Sequence, residues 1–231
     1  MLDILYPRNC VQCGAPSPDA LSYLCWDCLS DTPKIEAPFC VCCGDPVAGD
    51  IQHDYTCFAC SRETPAFDAA RSAVLYEGAV GAGLRDLKYH QAVWMARDLA
   101  SLLFACVHAE YPDLDFNFIS AVPLHPTRRR ERGYNQSGLL ATALARRMGV
   151  PYRGKAVRRI RPTISQTGLT APQRAANVYD AFRIGLFQRL KGKRVLLVDD
   201  VMTTGATVNA CAKALKNGGV QTVHVVTVAR G

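Results

Sequence analysis

Two adjacent aspartates near the end of the chain stand directly before a loop that is rich in threonine. The stretch VLLVDDVMTTGATVNA, residues 195–210, runs through apolar residues to Asp199 and Asp200. Neighbouring carboxylates repel each other, so they are best tolerated where hydroxyl donors or a cation meet them. The pair is therefore a candidate site for two adjacent hydroxyl groups of a ligand.

The loop that follows has the composition of a phosphate-binding turn. It leads into a predicted helix, whose first N–H groups and positive dipole end attract anions. Thr203, Thr204 and Thr207 add hydroxyl donors, and Gly205 lets the backbone approach a ligand closely. A site for two hydroxyls followed by a site for phosphate indicates binding of ribose 5-phosphate. The alternative is an ordinary strand, loop and capped helix that is rich in Asp and Thr.

The cysteines form a second group of residues whose types and spacing could do chemistry. The chain has 11 of them, and most lie in its first 60 residues. Eight form C-x2-C pairs, the spacing of tetrahedral thiolate zinc sites. These eight are Cys10, Cys13, Cys25, Cys28, Cys40, Cys43, Cys57 and Cys60. Sets of four thiolates leave no open position for catalysis, so we predict two structural zinc ions.

An internal repeat organises these pairs. The segment CVQCGAP at residues 10–16 recurs as CVCCGDP at residues 40–46, and Cys42 occupies the place of Gln12. The repeat favours one zinc site within each copy and no metal role for Cys42; a cross-braced arrangement is the alternative. A disulfide framework would require an oxidising compartment, and the N-terminus has no features of a signal peptide.

The rest of the pattern predicts the elements that must position these groups. Strand-like runs occur at residues 69–78, 116–124, 156–161, 181–185, 194–200 and 222–229. Apolar residues recur at helical spacing in three sets: Val93, Ala96, Ala100, Leu103, Phe104 and Val107; Leu140, Ala143, Leu144 and Met148; and Val208, Cys211, Ala212 and Leu215. Helices that alternate with apolar strands predict an α/β fold with a parallel sheet and helices on both faces. The carboxyl ends of such strands are where ligands bind.

Composition limits the function classes without choosing among them. The chain has 231 residues, 49% of them hydrophobic, and a formal net charge of +7. It has no apolar run long enough to span a membrane, so we expect a cytoplasmic protein without membrane insertion. Residues 1–64 carry three basic residues against nine acidic ones, so contacts to a nucleic acid backbone are expected only from the later part. Trp26, Phe39 and Phe58 could stack on bases, but small metal modules usually bury such rings.

The stretch at residues 195–210 closely resembles the phosphoribosyl pyrophosphate (PRPP) motif of type I phosphoribosyltransferases. DLKYH at residues 86–90, AVPLHPTRRRERGYNQS at 121–137 and SQTGLTAPQRAANVYDAF at 165–182 resemble the ComF/GntX group, as does the cysteine-rich N-terminal part. The resemblance covers essentially the whole chain. It implies a double zinc ribbon at residues 1–64 and a type I phosphoribosyltransferase-like domain at residues 65–231.

The resemblance also implies roles for single residues. Asp199 and Asp200 would hold the ribose hydroxyls, and residues 203–207 the 5-phosphate; the diphosphate would lie beside the loop after residue 123, and a mobile loop would close over the substrate. The implied PRPP-binding residues are Lys88, Leu124, His125, Arg128, Arg132, Gln166, Asp199, Asp200, Thr203, Thr204, Gly205, Ala206 and Thr207. Asp199, Asp200 and Arg174 are the catalytic candidates, and Asn177 is a further candidate in the mobile loop.

Two functions follow from the resemblance. The first is Mg²⁺-dependent binding of PRPP with phosphoribosyl transfer to an unknown acceptor, in a protein linked to competence and DNA uptake. The second is a non-catalytic PRPP-binding accessory role in the handling of single-stranded DNA. The implied partners are PRPP, single-stranded DNA, and a competence ATPase, helicase or other DNA-processing protein.

Overall fold

The structure is a computed structural model. It describes residues 8–17, 22–49, 51, 53–161, 170, 173, 178, 180–185 and 189–231. The helices are α1 (Trp26–Ser30), α2 (Phe58–Arg62), α3 (Gly78–Tyr89), α4 (Met95–Glu110), α5 (Pro126–Arg132), α6 (Gln136–Met148) and α7 (Ala206–Asn217). The strands are β1 (Ala69–Leu75), β2 (Phe118–Ala121), β3 (Val157–Arg159), β4 (Phe182–Ile184), β5 (Arg194–Met202) and β6 (Thr222–Arg230). No helix in these ranges is both long and apolar enough to cross a membrane.

Four strands form the predicted parallel sheet, in the order β1-β6-β5-β2. All of its pairings are parallel, so the carboxyl ends of the four strands meet at one edge. The central strand β5 is buried along almost its whole length, as expected for a strand covered on both faces. It extends through Asp199 and Asp200 to Met202, because pairing with β6 continues past the acidic pair.

Alternate residues of the sheet enter two apolar clusters. Leu196 and Val198 of β5 pack with α3, α4 and α6 on one face, whereas Val195 and Leu197 pack on the other face with α7 and the β3–β4 pair. The predicted helices on both faces are therefore present. Val93 is an exception to the predicted pattern: it precedes α4 and is 44% exposed, because the chain turns at Gln91 with a φ of 55°.

The strands predicted at residues 156–161 and 181–185 form a separate sheet. β3 and β4 pair antiparallel to each other, with Val157 opposite Ile184. Their buried residues Val157 and Phe182 belong to the cluster beneath α7. These short strands therefore add a small layer on one side of the molecule instead of extending the main sheet.

The cysteine-rich part packs directly on the α/β part. Its first half, residues 10–28, contacts α4 through a hydrogen bond of 2.6 Å from the Tyr23 N–H to Asp98 Oδ2. Its second half, residues 40–60, covers β1: the Ala70 N–H donates to the Cys42 carbonyl over 2.8 Å. Strand β1 is at the edge of the sheet, so these contacts protect backbone groups that would otherwise be open to pairing with another chain.

Candidate functional site

Asp199 and Asp200 are both buried at the carboxyl end of the sheet, but they have different partners. Asp199 Oδ1 accepts a hydrogen bond from Ser137 Oγ at 2.7 Å and one from the Asp200 N–H at 3.0 Å. Asp200 Oδ2 forms an ion pair with Lys88 Nζ at 2.6 Å. The structure thus brings Lys88, from the end of α3, to the acidic pair that lies far from it in the sequence.

These partners give the two carboxyl groups opposite pKa shifts. Burial, together with the neighbouring charge of Asp200, raises the pKa of Asp199 well above its ordinary value. Burial alone would also raise the pKa of Asp200, but the Lys88 ammonium lowers it below the ordinary value. For Lys88, burial opposes the charge, but attraction to Asp200 raises its pKa. The site therefore holds an ionised Asp200–Lys88 pair beside an Asp199 that retains a proton more readily than usual.

The threonine-rich loop adjoins the acidic pair. Asp199 shares a small hollow with the loop after β5; Val201, Met202, Thr203, Gly205, Ala206, Thr207 and Val208 complete its lining. Gly205 precedes α7 in the left-handed conformation, with a φ of 75°. Thr204 Oγ1 accepts a hydrogen bond from the Ala206 N–H at 3.5 Å. The hollow therefore lies at the positive end of a helix of 12 residues and next to a buried carboxyl group.

The loop after β2 lies beside the end of β5. The Val122 N–H donates to the Val198 carbonyl over 2.9 Å, and Asn135 Nδ2 donates to the Val122 carbonyl over 3.0 Å. His125 caps α5, since its Nδ1 accepts from the Thr127 N–H at 3.4 Å. Leu124 and His125 are both partly buried in this loop.

The two predicted arginines of this region are placed differently. The Arg128 side chain is 52% exposed and its nearest acidic partner, Glu131, lies 3.8 Å away on the same helix. Arg132 Nη1 donates to Gln136 Oε1 at 2.6 Å, which links α5 to the start of α6. Gln166, Arg174 and Asn177 lie outside the described residues, so their roles stay predictions.

Ser137 and Tyr76 contribute to the site, although the sequence pattern does not single them out. Ser137 supplies the hydroxyl that Asp199 accepts, and the Tyr76 ring centroid lies 5.8 Å from Lys88 Nζ. The resemblance at residues 121–137 contains Ser137, but only the packing of α6 against β5 shows which carboxylate it contacts. Tyr76 directly follows β1, and that position could have identified it once the parallel sheet was predicted.

The eight predicted cysteines form two clusters suited to zinc. Within each set of four, Cys10, Cys13, Cys25 and Cys28 or Cys40, Cys43, Cys57 and Cys60, the sulfur atoms all lie within 4.8 Å of one another. Tetrahedral coordination at about 2.3 Å requires sulfur atoms about 3.8 Å apart. The Cys13–Cys25 and Cys43–Cys57 distances are 3.8 Å and 3.7 Å, so the residues fit the metal. Each cluster uses one copy of the repeat, which resolves the pairing in favour of the sequential arrangement.

Backbone N–H groups support a thiolate in each cluster. Burial opposes ionisation of Cys10, but N–H groups of its turn and of Cys25 lower its pKa to about 6. In the same way, N–H groups near Cys40 outweigh burial and lower its pKa to about 7. The eleven cysteines all lie within the described residues, and none of them forms a disulfide. In each cluster one thiol is therefore favoured in the ionised form that binds a cation.

The expectation that aromatic rings fill the core of the metal module is wrong for two of the three residues. Trp26 and Phe58 are 76% and 79% exposed. Each directly follows the first cysteine of the second pair in its copy, and the thiolates take the inward positions, so the rings face outward. Phe39 is partly buried, and the Arg71 guanidinium lies 4.7 Å from its ring centroid.

Comparisons with known proteins agree with this architecture. A family model described as "Double zinc ribbon domain" matches residues 1–64, and one described as "Phosphoribosyl transferase domain" matches residues 135–231. Competence protein F of Haemophilus influenzae is 31% identical over 226 residues, which cover 96% of this chain and 96% of that protein. The chain belongs to the competence protein F (ComF) family. Another relative of this ComF-family chain is DNA utilization protein YhgH of Escherichia coli K12, 31% identical over 97% of both chains.

A solved structure gives a more distant comparison. Glutamine PRPP amidotransferase of B. subtilis is 21% identical, with a TM-score of 0.38. The match covers 57% of this ComF-family chain but only 25% of that much longer protein. By the two family models and its own cysteine clusters and strands, the ComF-family chain consists of a double zinc ribbon with two four-cysteine sites and a phosphoribosyltransferase domain with a parallel sheet.

Proposed function

We propose that the carboxyl edge of the sheet binds PRPP together with Mg²⁺ and transfers its phosphoribosyl group to an acceptor. One observation carries this proposal: buried Asp199 and the start of α7 line the same hollow. A carboxylate pair suits the two ribose hydroxyls, and the helix N-terminus suits the 5-phosphate. The residues assigned to the 5-phosphate are Thr203, Thr204, Gly205, Ala206 and Thr207.

The diphosphate is assigned to the other side of the acidic pair. Backbone groups of Leu124 and His125 lie after β2, which is the neighbour of β5 in the sheet. Arg128 and Arg132 would neutralise charge on the leaving group, and Gln166 and Arg174 would close over it. Transfer proceeds through an oxocarbenium-like state, so orientation and electrostatic stabilisation supply most of the catalysis.

Lys88 has a positioning role in this proposal. Its ammonium keeps Asp200 ionised, and its own charge compensates for burying that carboxylate. The Tyr134 hydroxyl donates to the Leu87 carbonyl and so anchors the backbone next to Lys88. Asp200 is therefore held ready to accept hydrogen bonds from a ribose hydroxyl.

The residues also fit Mg²⁺, since carboxylate oxygens and water are the ligands that this ion prefers. When bound, the ion supplies positive charge that stabilises the departing diphosphate. Asp199 and Asp200 would hold it, directly or through water. Lys88 already neutralises Asp200, so in this proposal the ion enters with the diphosphate and keeps several of its waters.

A second candidate function is a non-catalytic PRPP-binding role in single-stranded DNA handling. The names of the relatives, a competence protein and a DNA utilization protein, favour it. Helix α5 also presents exposed arginines, including Arg128 and Arg130, that could contact a phosphate backbone. In this role the protein would work with a competence ATPase, helicase or other DNA-processing protein. Four-thiolate zinc sites favour a reducing compartment, and we propose the cytoplasm.

An assay of diphosphate release tests the two functions together. The protein is incubated with PRPP, Mg²⁺ and a panel of nitrogen bases and amines, and single-stranded DNA is titrated in parallel at several salt concentrations. Release that depends on one acceptor supports transfer. PRPP binding and DNA binding without any release would favour the accessory role, and absence of PRPP binding would contradict both.

A further inference from the structure

A cleft next to the proposed PRPP site is walled partly by the second zinc ribbon. It has a volume of about 330 Å³, within the range of small-molecule sites. Most of it is formed by Leu75 at the end of β1, by Tyr76 and Glu77 after that strand, and by Arg230 and Gly231 at the end of β6. Asp45 and Pro46 of the ribbon close it. We propose that this cleft binds the acceptor of the phosphoribosyl group, and that the acceptor is an uncharged or cationic nitrogen base with N–H donors.

The cleft adjoins the threonine-rich loop through direct backbone contacts. The Gly231 N–H donates to the Met202 carbonyl over 3.1 Å, and the Tyr76 N–H donates to the Arg230 carbonyl over 2.7 Å. A Cβ on Gly231 would lie 3.9 Å from Thr203 Cγ2 and 3.5 Å from Tyr76 Cβ. The lining of the cleft, through Gly231, therefore contacts the loop that is assigned to the ribose phosphate.

The sheet order places the cleft on the side from which an acceptor must approach. In the order β1-β6-β5-β2, the proposed diphosphate loop follows β2, on one side of β5. The cleft lies at the ends of β6 and β1, on the other side. Displacement at the anomeric carbon is favourable when the nucleophile and the leaving group occupy opposite faces of the sugar. This step rests on the proposed function, because it takes the ribose to lie over the end of β5.

The charges of the cleft select the acceptor class. Arg230 is buried, and its guanidinium is engaged by the ribbon: Nε donates to Asp45 Oδ1 at 2.6 Å and Nη1 to the Cys43 carbonyl at 2.8 Å. Asp45 and Arg230 therefore balance each other, and exposed Glu77 leaves the lining with a net negative charge. An ionised carboxylate only accepts hydrogen bonds, so N–H groups are favoured and an anionic acceptor is repelled.

The internal repeat indicates that the metal site does not require Asp45. The residue at the equivalent position of the first copy is Ala15, in CGAP against CGDP. The first cluster brings its four sulfur atoms together without an acid there. Asp45 is thus unnecessary for the zinc turn, and its carboxylate instead pairs with Arg230 at the wall of the cleft.

The transfer step balances with PRPP as the other substrate. The lone pair of the acceptor nitrogen forms the bond to the anomeric carbon, and the bond from that carbon to the diphosphate oxygen breaks. The electron pair leaves with the diphosphate. An acceptor nitrogen that carries a hydrogen then releases one proton to solvent through the open side of the cleft, whereas a pyridine nitrogen such as that of nicotinamide has no proton to release and becomes cationic. Glu77 and the Tyr76 ring orient the acceptor in this scheme.

Matched ligand pairs and matched variants test the inference. Uracil and orotate, and nicotinamide and nicotinate, differ mainly by a carboxylate; adenine and hypoxanthine complete the panel. Each is assayed by diphosphate release and by calorimetric titration in the presence of PRPP and Mg²⁺. The variants are Glu77→Gln and Asp45→Asn, and Glu63→Gln, which is exposed and outside the cleft, is the control.

The expected result is that an uncharged base binds or reacts and that its anionic counterpart does not. Glu77→Gln should weaken this binding by about tenfold, the cost of one hydrogen bond to a charged group, while PRPP affinity and the Glu63→Gln control remain unchanged. The inference is overturned if the anionic ligands bind better, if no panel member binds to protein that binds PRPP, or if both cleft variants behave like the control. Absence of PRPP binding itself would instead overturn the proposed function.

Discussion

Asp199 and Asp200 are neighbours in the sequence whose buried carboxyl groups face different electrostatic surroundings. Asp200 is compensated by the Lys88 ammonium at 2.6 Å. Asp199 accepts hydrogen bonds from Ser137 and from the chain itself, and burial and the adjacent charge of Asp200 work against its ionised form. Such a buried carboxyl group reduces stability in exchange for a function.

Substitution of these two residues should therefore change stability in opposite directions. Asp200→Asn leaves a buried ammonium without its carboxylate and should cost roughly 3 kcal/mol of unfolding free energy, as expected for breaking a buried ion pair. Asp199→Asn retains a carbonyl that can accept from Ser137 and removes the unfavourable charge, so it should stabilise the protein by about 1 kcal/mol. Urea unfolding at neutral pH, without PRPP or Mg²⁺, measures both changes. Equal destabilisation by the two variants would contradict this description of the site.

The unfolding free energy of the two variants, relative to that of the wild type, should also change with pH in opposite directions. The pKa of Asp199 is raised in the folded state, so its contribution to stability is fully present below its ordinary pKa of 3.8 and is lost as the pH rises through the folded value. The advantage of Asp199→Asn should therefore grow as the pH rises. The pKa of Asp200 is lowered, so its contribution is present above 3.8 and is lost as the pH falls through the folded value. The deficit of Asp200→Asn should shrink in acid, and urea unfolding over a pH series measures it.

At the residue scale, the sequence predicts the residues that are proposed to contact the ligand better than the residues that hold those side chains in place. The acidic pair and the threonines are contiguous, so their order alone indicates a site for a diol and a phosphate. Lys88 and Ser137 reach Asp200 and Asp199 from α3 and α6, and no local pattern records which residues a tertiary fold brings together. Trp26 and Phe58 were expected to be buried because apolar character predicts burial on average. In the ribbons, however, most of the cysteine side chains take the buried positions.

At the scale of elements, the period of apolar residues identifies the strands of the parallel sheet and the helices α4, α6 and α7, but not α3, the helix that carries Lys88. The bounds are less well predicted: β5 continues beyond the acidic pair, since its residues Asp199 and Val201 still pair with β6. The separate β3–β4 sheet could not be predicted either, because short runs such as AVRRIR carry no information on their partner. Docking of the second ribbon on β1 is a further contact between distant segments that no local pattern contains.

Two equivalent glycines of the repeat test this docking. Gly14 and Gly44 each directly follow a cysteine, and both glycines have a positive φ, 73° and 69°. Substitution by alanine therefore causes similar backbone strain at the two positions. A Cβ on Gly14 would meet nothing within 4 Å, whereas one on Gly44 would lie 2.6 Å from the Ala70 carbonyl oxygen of β1. Gly44→Ala should therefore destabilise the protein by more than Gly14→Ala, by roughly 1–3 kcal/mol.

The comparison is made by urea unfolding of zinc-loaded protein, with zinc content measured for both variants. Hydrogen exchange of the Ala70 amide adds a local readout, because that N–H donates to the Cys42 carbonyl only when the second ribbon is docked. Gly44→Ala should speed this exchange and Gly14→Ala should not. Equal effects of the two substitutions on stability and exchange would contradict the docked arrangement.

At the scale of the whole molecule, the zinc ribbons and the sheet share their apolar core. Cys40, Cys43, Cys57 and Cys60 belong to the same cluster as Leu197 of β5 and Leu215 of α7, among others. Arg230, at the end of β6, also donates to the Cys43 carbonyl. The ribbons therefore contribute to the stability of the complete fold, although the sequence suggests a separate module by its cysteine content. The division at residue 64 stays a prediction.

Zinc removal should destabilise the complete molecule for this reason. Intact mass measurement under native conditions should find two zinc ions per chain, and chelation should lower the thermal midpoint of the helical circular dichroism, most of which comes from α3, α4, α6 and α7. Cys43→Ser should reduce the zinc content to one and lower that midpoint. Cys42→Ser, one residue earlier and outside both clusters, is the control and should retain two. Unchanged helix unfolding after complete chelation would refute the shared core.

Calorimetric titration of PRPP with Mg²⁺ is the most direct measurement of the central claim, that the acidic pair and the loop before α7 hold one ligand. The wild-type protein should bind with a defined stoichiometry, and Asp199→Asn and Asp200→Asn should each weaken binding by at least about tenfold. Asp113→Asn, at an exposed position between α4 and β2, should bind as the wild type does. Undiminished affinity in both site variants would contradict the account.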